Sequence, residues 1–320
     1  MALVKGKVWG RDFAQRIREE EFAVHSIFQS VCNFQADPAR PLLSWVNREE
    51  ALAPNALLVE GNSFRDVCRV GEKVQFRSQI LTCGEYGVDC RRVVEFRSRY
   101  RNTPQSNPAA LQAADTWLEI HVPGFRAEHS PLRQDLREAL LREDGSLLQK
   151  VLSRLIGAGP GLTPAGDDFA AGVLLAYTRG IHTAGPKEGP SPGTGSKAGA
   201  DQVREPMGRL LSLTGARTGC QGGLPVVSDT GGWEGFAAQI VGIVQALLPA
   251  TNAISQTMLT YAVRGEGARY VTAVVDGIYG NARDVVAAAA KLSRIGASSG
   301  RYLLAGVLLG CEIRRASNSI

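Results

Sequence analysis

A glycine- and proline-rich stretch in the middle of the chain, residues 157–169, constrains the fold more than any other segment. It reads Gly-Ala-Gly-Pro-Gly-Leu-Thr-Pro-Ala-Gly-Asp-Asp-Phe and leads into a run of small and apolar residues that ends near Tyr177. Thr163 followed by Pro164 predicts a helix start, with threonine as the N-cap and proline at the first helical position. The following helix is apolar on every side, so we expect it to be buried.

Two adjacent acids, Asp167 and Asp168, lie at the mouth of this predicted helix. Buried carboxylates need a role because burying unpaired charge is expensive. In a structural interpretation, they complement the helix dipole and cap free N–H groups. In a functional one, the N–H groups of Gly159, Gly161 and Gly166 hold an anion, while the acids bind Mg²⁺ or transfer a proton. The spacing leaves both open, since the loop lacks the lysine of a P-loop.

Length and composition set the broad class of protein. The 320 residues suffice for two domains, and 44% hydrophobic with 21% charged residues is typical of a globular protein in water. The formal net charge of +5 and the pI near 9.0 suit small anionic molecules. Because no block of like charges exceeds an Arg-Arg pair, the pattern argues against nucleic acid as a partner.

The six cysteines contain no Cys-Xaa-Xaa-Cys pair, and the four histidines do not cluster with them. This argues against a zinc site and predicts free thiols in a reducing compartment. The N-terminus lacks the apolar core of a signal peptide, and no apolar run approaches the ~20 residues that span a bilayer. The sequence therefore predicts a cytoplasmic protein with no membrane contact.

Residues 1–125 predict a β-rich domain, either a small antiparallel sheet or a barrel, with a short amphipathic helix around Asp12–Glu21. Short runs rich in branched and aromatic residues, each bounded by Gly, Pro, Asn or Asp, indicate the strands. They are Phe22–Phe34, Leu42–Val46, Ala56–Val59, Val74–Leu81, Val93–Phe96 and Trp117–Val122. His25, within the first long strand, is interpreted as a core histidine in preference to a catalytic base.

Residues 126–320 predict an all-helical domain, so the fold class is α+β. Apolar residues at helical spacing indicate the helices. They cover 131–142, with Ser130 as N-cap, and then 146–156, 164–179, 207–214, 233–248, 252–264, 270–279, 282–295 and 299–312. Residues 183–206 are rich in Gly and Pro and predict a flexible loop. The glycine-rich stretch 215–235 predicts an ordered loop or a plain turn.

The chain contains two segments of similar sequence, which together are called the internal echo. Residues 166–176, Gly-Asp-Asp-Phe-Ala-Ala-Gly-Val-Leu-Leu-Ala, align with residues 300–310, Gly-Arg-Tyr-Leu-Leu-Ala-Gly-Val-Leu-Leu-Gly. Both predict a buried helix that follows a glycine-containing turn, with an Ala-Gly step for close packing. In the first copy Gly172 lies four residues after Asp168, hence on the same face, and would let another helix approach beside the acid.

The second copy follows the turn Gly-Ala-Ser-Ser-Gly at 296–300 and has Arg301 where the first copy has Asp167. If the two helix starts face each other, one supplies acids and the other supplies Ser298, Ser299, the Gly300 amide and Arg301. That set would hold a phosphate or carboxylate together with a metal. Alternatively, Ala-Gly-Val-Leu-Leu is only a helix-packing motif.

Four stretches resemble one family. Residues 159–172, Gly-Pro-Gly-Leu-Thr-Pro-Ala-Gly-Asp-Asp-Phe-Ala-Ala-Gly, resemble the signature of the AllH-type subunit of oxamate carbamoyltransferase, a family of poorly characterised domains. Residues 24–33, 251–265 and 296–306 resemble its opening strand, its Thr-Thr/Ile-Ser helix and its C-terminal Gly/Ser turn. The likeness covers most of the chain outside the predicted flexible loop.

The resemblance implies a cytoplasmic protein that works beside an FdrA-like subunit, related to succinyl-CoA synthetases, and a further subunit. The implied reaction interconverts oxamate plus carbamoyl phosphate with oxalurate plus phosphate, in purine (allantoin) breakdown. Four positions depart from the pattern: Ala165 replaces an expected Ser, Asn252 an expected Thr, Ala297 an expected His and Arg301 an expected Asp. A neighbouring carboxylate or another amide-bearing acid would be equally compatible as substrate.

The sequence therefore supports a site hypothesis. Gly159, Gly161 and Gly166 present N–H groups to a phosphoryl or carboxylate group, and Thr163 caps the helix and contacts the anion. Asp167 or Asp168 binds Mg²⁺ or positions the amine for carbamoyl transfer. Two other hypotheses stay open: a non-catalytic scaffold subunit with a structural Asp pair, or a Mg²⁺/ATP-dependent kinase or ligase of a small carboxylic acid.

Overall fold

The computed structural model describes residues 2–61, 63–96, 106–123, 130–182, 233–280 and 282–317. These residues form an N-terminal β-barrel followed by a helical region, which confirms the predicted α+β class. The predicted helix at 207–214 and the predicted loop at 183–206 lie outside the described residues, as does the glycine-rich stretch up to position 232.

Eight strands close the barrel, in the order β5-β4-β3-β2-β6-β7-β8-β1, through a pairing of β1 with β5. A ninth strand, β9, pairs in parallel with the second half of β1. The strands are β1 Ala2–Gly10, β2 Phe22–Ile27, β3 Val31–Gln35, β4 Leu43–Val46, β5 Ala56–Val59, β6 Lys73–Arg77, β7 Ile80–Cys83, β8 Tyr86–Asp89 and β9 Val94–Phe96. Because the long strand β1 pairs with β5, β8 and β9, closure depends on pairings between distant segments.

Buried aromatic side chains fill the barrel. Trp45 is fully buried and packs edge-on against Phe34, with ring centroids 4.8 Å apart, and it also lies near Phe64 and Tyr86. The short helix α1, Arg11–Arg16, follows β1 directly and adds the fully buried Phe13 to the same core. An eight-stranded barrel is just wide enough for such side chains to fill its interior.

Three strand predictions are corrected. The single strand expected over 22–34 is a hairpin of β2 and β3, since Phe28 donates its N–H to the Val31 carbonyl in a turn. The strand expected over 74–81 is also a hairpin. It turns at Ser78 and Gln79, whose φ values of 50° and 63° fit the two-residue turns that match strand twist.

The strand predicted at 117–122 is wrong, because these residues belong to helix α2, Pro108–His121. Asn107 caps this helix by accepting from the N–H groups of Ala109 and Ala110, and Pro108 occupies its first turn. Ala110, Ala114 and Leu118, four residues apart, are buried in the helical core, so the apolar period belongs to a helix.

The remaining helices follow the predicted positions closely, with ends that shift by a few residues. They are α3 Ser130–Leu141, α4 Gly145–Leu155, α5 Ala165–His182, α6 Trp233–Leu247, α7 Ala253–Ala262, α8 Arg269–Ile278, α9 Ala282–Leu292 and α10 Ser299–Ser317. As predicted, α5 is the central buried element: nearly every described side chain from Phe169 to Arg179 is below 5% exposed.

Helices α7 and α10 both run parallel to α5. Along α7, the Thr251 hydroxyl bonds to Asp167 at one end, and the Ala262 carbonyl accepts from Thr178 at 2.8 Å toward the other end. Along α10, the first residue, Ser299, bonds to Thr163. Further along, Gly172 and Gly306 lie so close that a Cβ on either would overlap backbone of the other helix. The predicted role of Gly172 in close helix packing is confirmed.

The barrel packs against α7 and α8. The Leu42 N–H donates to the Thr257 hydroxyl at 2.9 Å, and the Tyr261 hydroxyl donates to Asp12 at 3.0 Å. The N–H of Arg269, at the start of α8, donates to the Leu52 carbonyl. Thus α7 lies between the barrel and α5, and the barrel contacts it at Thr257 and Tyr261.

Candidate functional site

The glycine-rich loop between α4 and α5 adopts a backbone that only glycine tolerates well. Gly157, Gly159 and Gly161 have φ values of 82°, 98° and 116°, in the region that disfavours side chains. The loop closes on itself through a hydrogen bond from the Gly166 N–H to the Ala158 carbonyl at 2.9 Å. Asn252 braces its tip by donating its side-chain amide to the Leu162 carbonyl at 2.9 Å.

Asp167 joins this loop to helix α7. Its side chain is fully buried, and one carboxylate oxygen accepts from the Gly157 N–H at 2.7 Å. The other oxygen accepts from the Thr251 hydroxyl. Both oxygens therefore have protein donors, which is how a buried carboxylate is normally stabilised.

Asp168 is buried differently. It is 1% exposed, and one oxygen accepts from the Thr163 hydroxyl at 3.0 Å. Burial raises the pKa of this carboxyl to about 6; the Ser299 and Thr163 hydroxyls oppose the rise, and the charge of Asp167 adds to it. Within the described residues neither acid forms an ion pair. A carboxyl with a pKa near neutrality, at the end of a buried helix, is suited to exchange a proton.

The turn between α9 and α10 supplies the other side of the site. The Ser299 and Thr163 hydroxyls are 3.0 Å apart. The Gly300 N–H donates to the Ile295 carbonyl, and the Ser298 carbonyl accepts from Arg301 and Tyr302. Thus the structure brings together two regions of the internal echo that are 136 residues apart in sequence.

Three helix N-termini meet at this point, because α5, α7 and α10 are parallel and begin near the same two acids. Each helix has a partial positive charge and unsatisfied N–H groups at its N-terminus. On α7, Asn252 caps two of these groups, those of Ile254 and Ser255. Arg301, in the first turn of α10, is exposed and forms no ion pair among the described residues. The partial positive charges of the three helix ends thus lie beside the two buried carboxylates.

The predicted glycines divide into two groups. Within the described part of the chain, the N–H groups of Gly159 and Gly161 have no acceptor, so they can bind an anion. The N–H groups of Gly166 and Gly300 are used within their own loops. These two glycines instead allow close packing, since a Cβ on either would overlap the carbonyl oxygen of Leu155 or Leu292, respectively.

Thr163 has a different contact from the predicted helix cap. Its hydroxyl donates to the Asp168 side chain and also bonds to Ser299, while the Pro164 carbonyl accepts from the N–H groups of Asp167 and Asp168. Helix α5 begins at Ala165, so proline lies just before the helix, one position earlier than predicted. The Thr163 hydroxyl therefore lies between the Asp168 carboxyl and the Ser299 hydroxyl.

Three residues near the acids were absent from the predicted site. Thr251 and Asn252 contact Asp167 and the loop tip, and the Thr-Asn pair before an apolar helix was an available signal. Tyr270, on α8, is near enough for the charge of Asp168, together with the larger effect of burial, to raise its pKa to about 12. No local pattern marks Tyr270, because the fold alone brings it to the site.

The Mg²⁺ hypothesis stays a prediction. Among the residues that the structure covers, no group of three or more His, Cys, Asp or Glu side chains is arranged to hold a metal ion. Asp167 uses both oxygens for hydrogen bonds, so a metal would compete with Thr251 or Gly157. Five cysteines are free thiols, and Cys220 lies outside the described residues.

The fold and the site define a class of protein: a filled β-barrel joined to a helical region, with a buried acid where three helices begin. Two family models match the chain. The AllH family N-terminal domain matches residues 4–95, and the model described as oxamate carbamoyltransferase subunit AllH matches residues 155–190 and 233–311. The chain therefore belongs to the AllH family. No solved structure matches it.

Each family match lies within one of the two regions of the fold, the barrel or the helical region. The N-terminal match spans the barrel strands β1 to β8, and the second match begins at the end of α4 and runs to α10. It thus includes the glycine loop, both acids, Thr251 and the turn before α10. Separately, none of the described helices combines the length and apolar character needed to span a membrane.

Proposed function

We propose that this chain supplies the carbamoyl-phosphate site of an oxamate carbamoyltransferase, and that the site is the meeting point of the N-termini of α5, α7 and α10. The observation that carries the proposal is the convergence of three positive helix ends on one buried carboxyl, Asp168, that has no counter-ion among the described residues. Helix N-termini bind phosphate through backbone N–H groups and dipoles.

Each group has a role in this proposal. The N–H groups of Gly159 and Gly161 and the guanidinium of Arg301 bind the phosphoryl group of carbamoyl phosphate. Asp167 holds the loop to α7 and does not contact the substrate. Asp168 accepts a proton as the carbamoyl group is transferred, which its pKa near 6 permits at neutral pH. The second substrate is oxamate or a neighbouring amide-bearing acid.

The family supports a multi-subunit enzyme, since its model is described as a subunit. We place the chain beside an FdrA-like subunit and a further subunit, in the cytoplasm, in purine (allantoin) breakdown. The departures at Asn252 and Ala297 fit this proposal: Asn252 keeps a donor to the loop, through Leu162, and Ala297 is exposed in the turn before α10.

Thermal unfolding of the purified chain tests ligand binding. The ligands are carbamoyl phosphate, phosphate, oxamate, oxalurate and ATP, each with and without Mg²⁺. A ligand at ~100 times its dissociation constant stabilises the fold by roughly 2.7 kcal/mol. The variants are Asp168→Asn and, as the matched control, Asp66→Asn, an exposed aspartate in the barrel.

We expect carbamoyl phosphate to raise the unfolding temperature of the wild type, of Asp66→Asn and of Asp168→Asn, because Asp168 accepts a proton and other groups bind the phosphoryl oxygens. In the assembled enzyme, Asp168→Asn should lower carbamoyl transfer. A folded Asp168→Asn chain with full activity in the complex would contradict the role of Asp168. A shift with ATP alone would favour a kinase or ligase, and no shift with any ligand would favour a scaffold subunit.

A further inference from the structure

Ser299, Thr163 and Asp168 form a hydrogen-bonded cluster. The Thr163 hydroxyl donates to Asp168 at 3.0 Å, and the Thr163 and Ser299 hydroxyls are 3.0 Å apart. The Ser299 hydroxyl also hydrogen-bonds to the Asp168 carboxyl, and this bond helps to keep the pKa of the carboxyl from rising further. A proton that leaves Ser299 can therefore reach Asp168 directly or through the Thr163 hydroxyl.

Ser299 lies where an activated hydroxyl would be useful. It is the first residue of α10, it is partly exposed, and its own N–H belongs to the first turn, where no helical acceptor exists. An alkoxide at this position would be stabilised by the helix N-terminus. Thr163, by contrast, lies between Ser299 and the acid, with its proton already donated. Of the two hydroxyls, Ser299 is the one that can attack a bound molecule.

We propose that Ser299 is a nucleophile that carries the carbamoyl group as a covalent serine carbamate between the two substrates. This inference rests on the proposed function. In the first step the Ser299 Oγ forms a bond to the carbamoyl carbon of carbamoyl phosphate. The bond from that carbon to the bridging oxygen breaks, and phosphate leaves with its electron pair. The serine proton passes to the Asp168 carboxylate, directly or through Thr163.

The second step reverses these roles. The amide nitrogen of oxamate forms a bond to the carbamoyl carbon, and the bond from that carbon to the Ser299 Oγ breaks. The nitrogen loses a proton to water, and the departing serine oxygen takes one back from Asp168, directly or through Thr163. The phosphate released in the first step takes up one proton from water, so no proton is gained or lost overall. The products are oxalurate and free serine. Each bond broken is matched by one formed, and no oxidant or reductant is required.

The test uses the chain assembled with the other subunits of the enzyme and given carbamoyl phosphate without the amide acceptor. Peptide mass spectrometry locates any mass increase that equals one carbamoyl group in place of one hydrogen. Exchange of labelled inorganic phosphate into carbamoyl phosphate is measured in parallel, because a carbamoyl-enzyme formed without acceptor makes the first step reversible. A sample treated with cyanate controls for non-enzymatic carbamoylation.

The variants are Ser299→Ala, Ser299→Cys, Thr163→Val and Ser293→Ala. Ser293 is the matched control, because its hydroxyl only donates to the Ala290 carbonyl at the end of α9. We expect the adduct on Ser299 and phosphate exchange in the wild type and in Ser293→Ala, and neither in Ser299→Ala. Thr163→Val should slow exchange by less than ~100-fold, the lower end of what proton transfer contributes, because Ser299 also contacts Asp168 directly. Ser299→Cys should carry the carbamoyl group on sulfur.

Two results would overturn the inference while leaving the proposed function intact. One is a Ser299→Ala enzyme that binds carbamoyl phosphate and transfers the carbamoyl group at the wild-type rate. The other is a wild-type enzyme that turns over with oxamate but shows neither adduct nor exchange, or shows the adduct equally with cyanate. Absence of both ligand binding and turnover in the wild type would reject the proposed function together with this inference.

Discussion

The two halves of the internal echo share a scaffold but differ in chemistry. In each, a helix ends, a turn closes at a glycine packed on the last carbonyl of that helix, and a second buried helix begins. Ten residues lie between Leu155 and Gly166, whereas seven lie between Leu292 and Gly300. The three additional residues give the first half its positive-φ glycine loop. Duplicated packing thus brings two helix starts together, and the differences between them create the site.

The largest expected effect tests the shared scaffold. Gly166→Ala and Gly300→Ala should each destabilise the chain by roughly 3 kcal/mol or more, because the added Cβ would overlap a carbonyl oxygen. Denaturant unfolding measures the loss. Gly242→Ala is the matched control: this exposed helical glycine has nothing within 4 Å, so alanine should stabilise by about 0.5–1 kcal/mol. If only one of the first two variants were destabilised, the halves would not be equivalent.

The two acids, Asp167 and Asp168, occur only in the first half of the internal echo. Of these, Asp168 should make the stability of the chain depend on pH. Its folded-state pKa of about 6 exceeds the ordinary 3.8, so the folded state binds the proton more tightly. This contribution to stability is present below pH ~4 and is lost as the pH rises through 6. Asp168→Asn cannot titrate, so it should be more stable than the wild type by roughly 3 kcal/mol at pH 7.5, with a much smaller difference at pH 4.

Denaturant unfolding at both pH values, with Asp66→Asn as the control, measures this difference. Subtracting the wild-type value at each pH removes the titration of the other acids, provided that both proteins unfold in two states. A difference between Asp168→Asn and wild type that is the same at pH 4 and pH 7.5 would contradict the perturbed carboxyl.

Thr251 tests how the first half is tied to α7. Thr251→Val should cost ~2 kcal/mol, because it leaves one oxygen of the fully buried Asp167 without its donor. Thr260→Val on the same helix should cost much less, since that hydroxyl only bonds to the Gln256 carbonyl one turn earlier. Equal losses of stability in the two variants would show that the Thr251–Asp167 hydrogen bond contributes no more than the hydrogen bond of Thr260 within its own helix.

The local features of this arrangement could be predicted from the sequence. Glycine and proline at 157–164 predicted the turn, and the apolar run predicted the buried helix α5. The echo offered two interpretations, a second helix that begins beside α5 or only a helix-packing motif. Gly172 predicted the close approach of another helix. These features follow from neighbouring residues, whose backbone preferences and periodicity are local properties.

The pairing of strands and helices that are distant in sequence could not be predicted from such local patterns. Closure of the barrel depends on β1 meeting β5, β8 and β9, and no local pattern specifies these partners. Residues 117–122 have strand-like composition, yet the apolar period that begins at Ala110 makes them helical. The positions of Thr251 and Tyr270 beside the acids likewise depend on how α7 and α8 pack.

The smallest effect on stability is expected at Arg301, which occupies the place of Asp167 in the second half. Arg301→Ala should change the free energy of unfolding by about 0.5 kcal/mol or less, because the side chain is exposed and has no ion pair among the described residues. It should nevertheless reduce the stabilisation by carbamoyl phosphate or phosphate, since an arginine donates directly to phosphoryl oxygens.

Arg294→Ala, at an exposed arginine in the turn after α9, is the matched control for charge and should retain the full ligand effect. Thermal unfolding with and without phosphate, at low and high salt, separates a specific contact from the general attraction of a basic protein for anions. Equal losses in both variants would mean that Arg301 acts only through net charge. A loss confined to Arg301→Ala would show that Arg301 contacts the anion directly, although the packing of the second half does not depend on this residue.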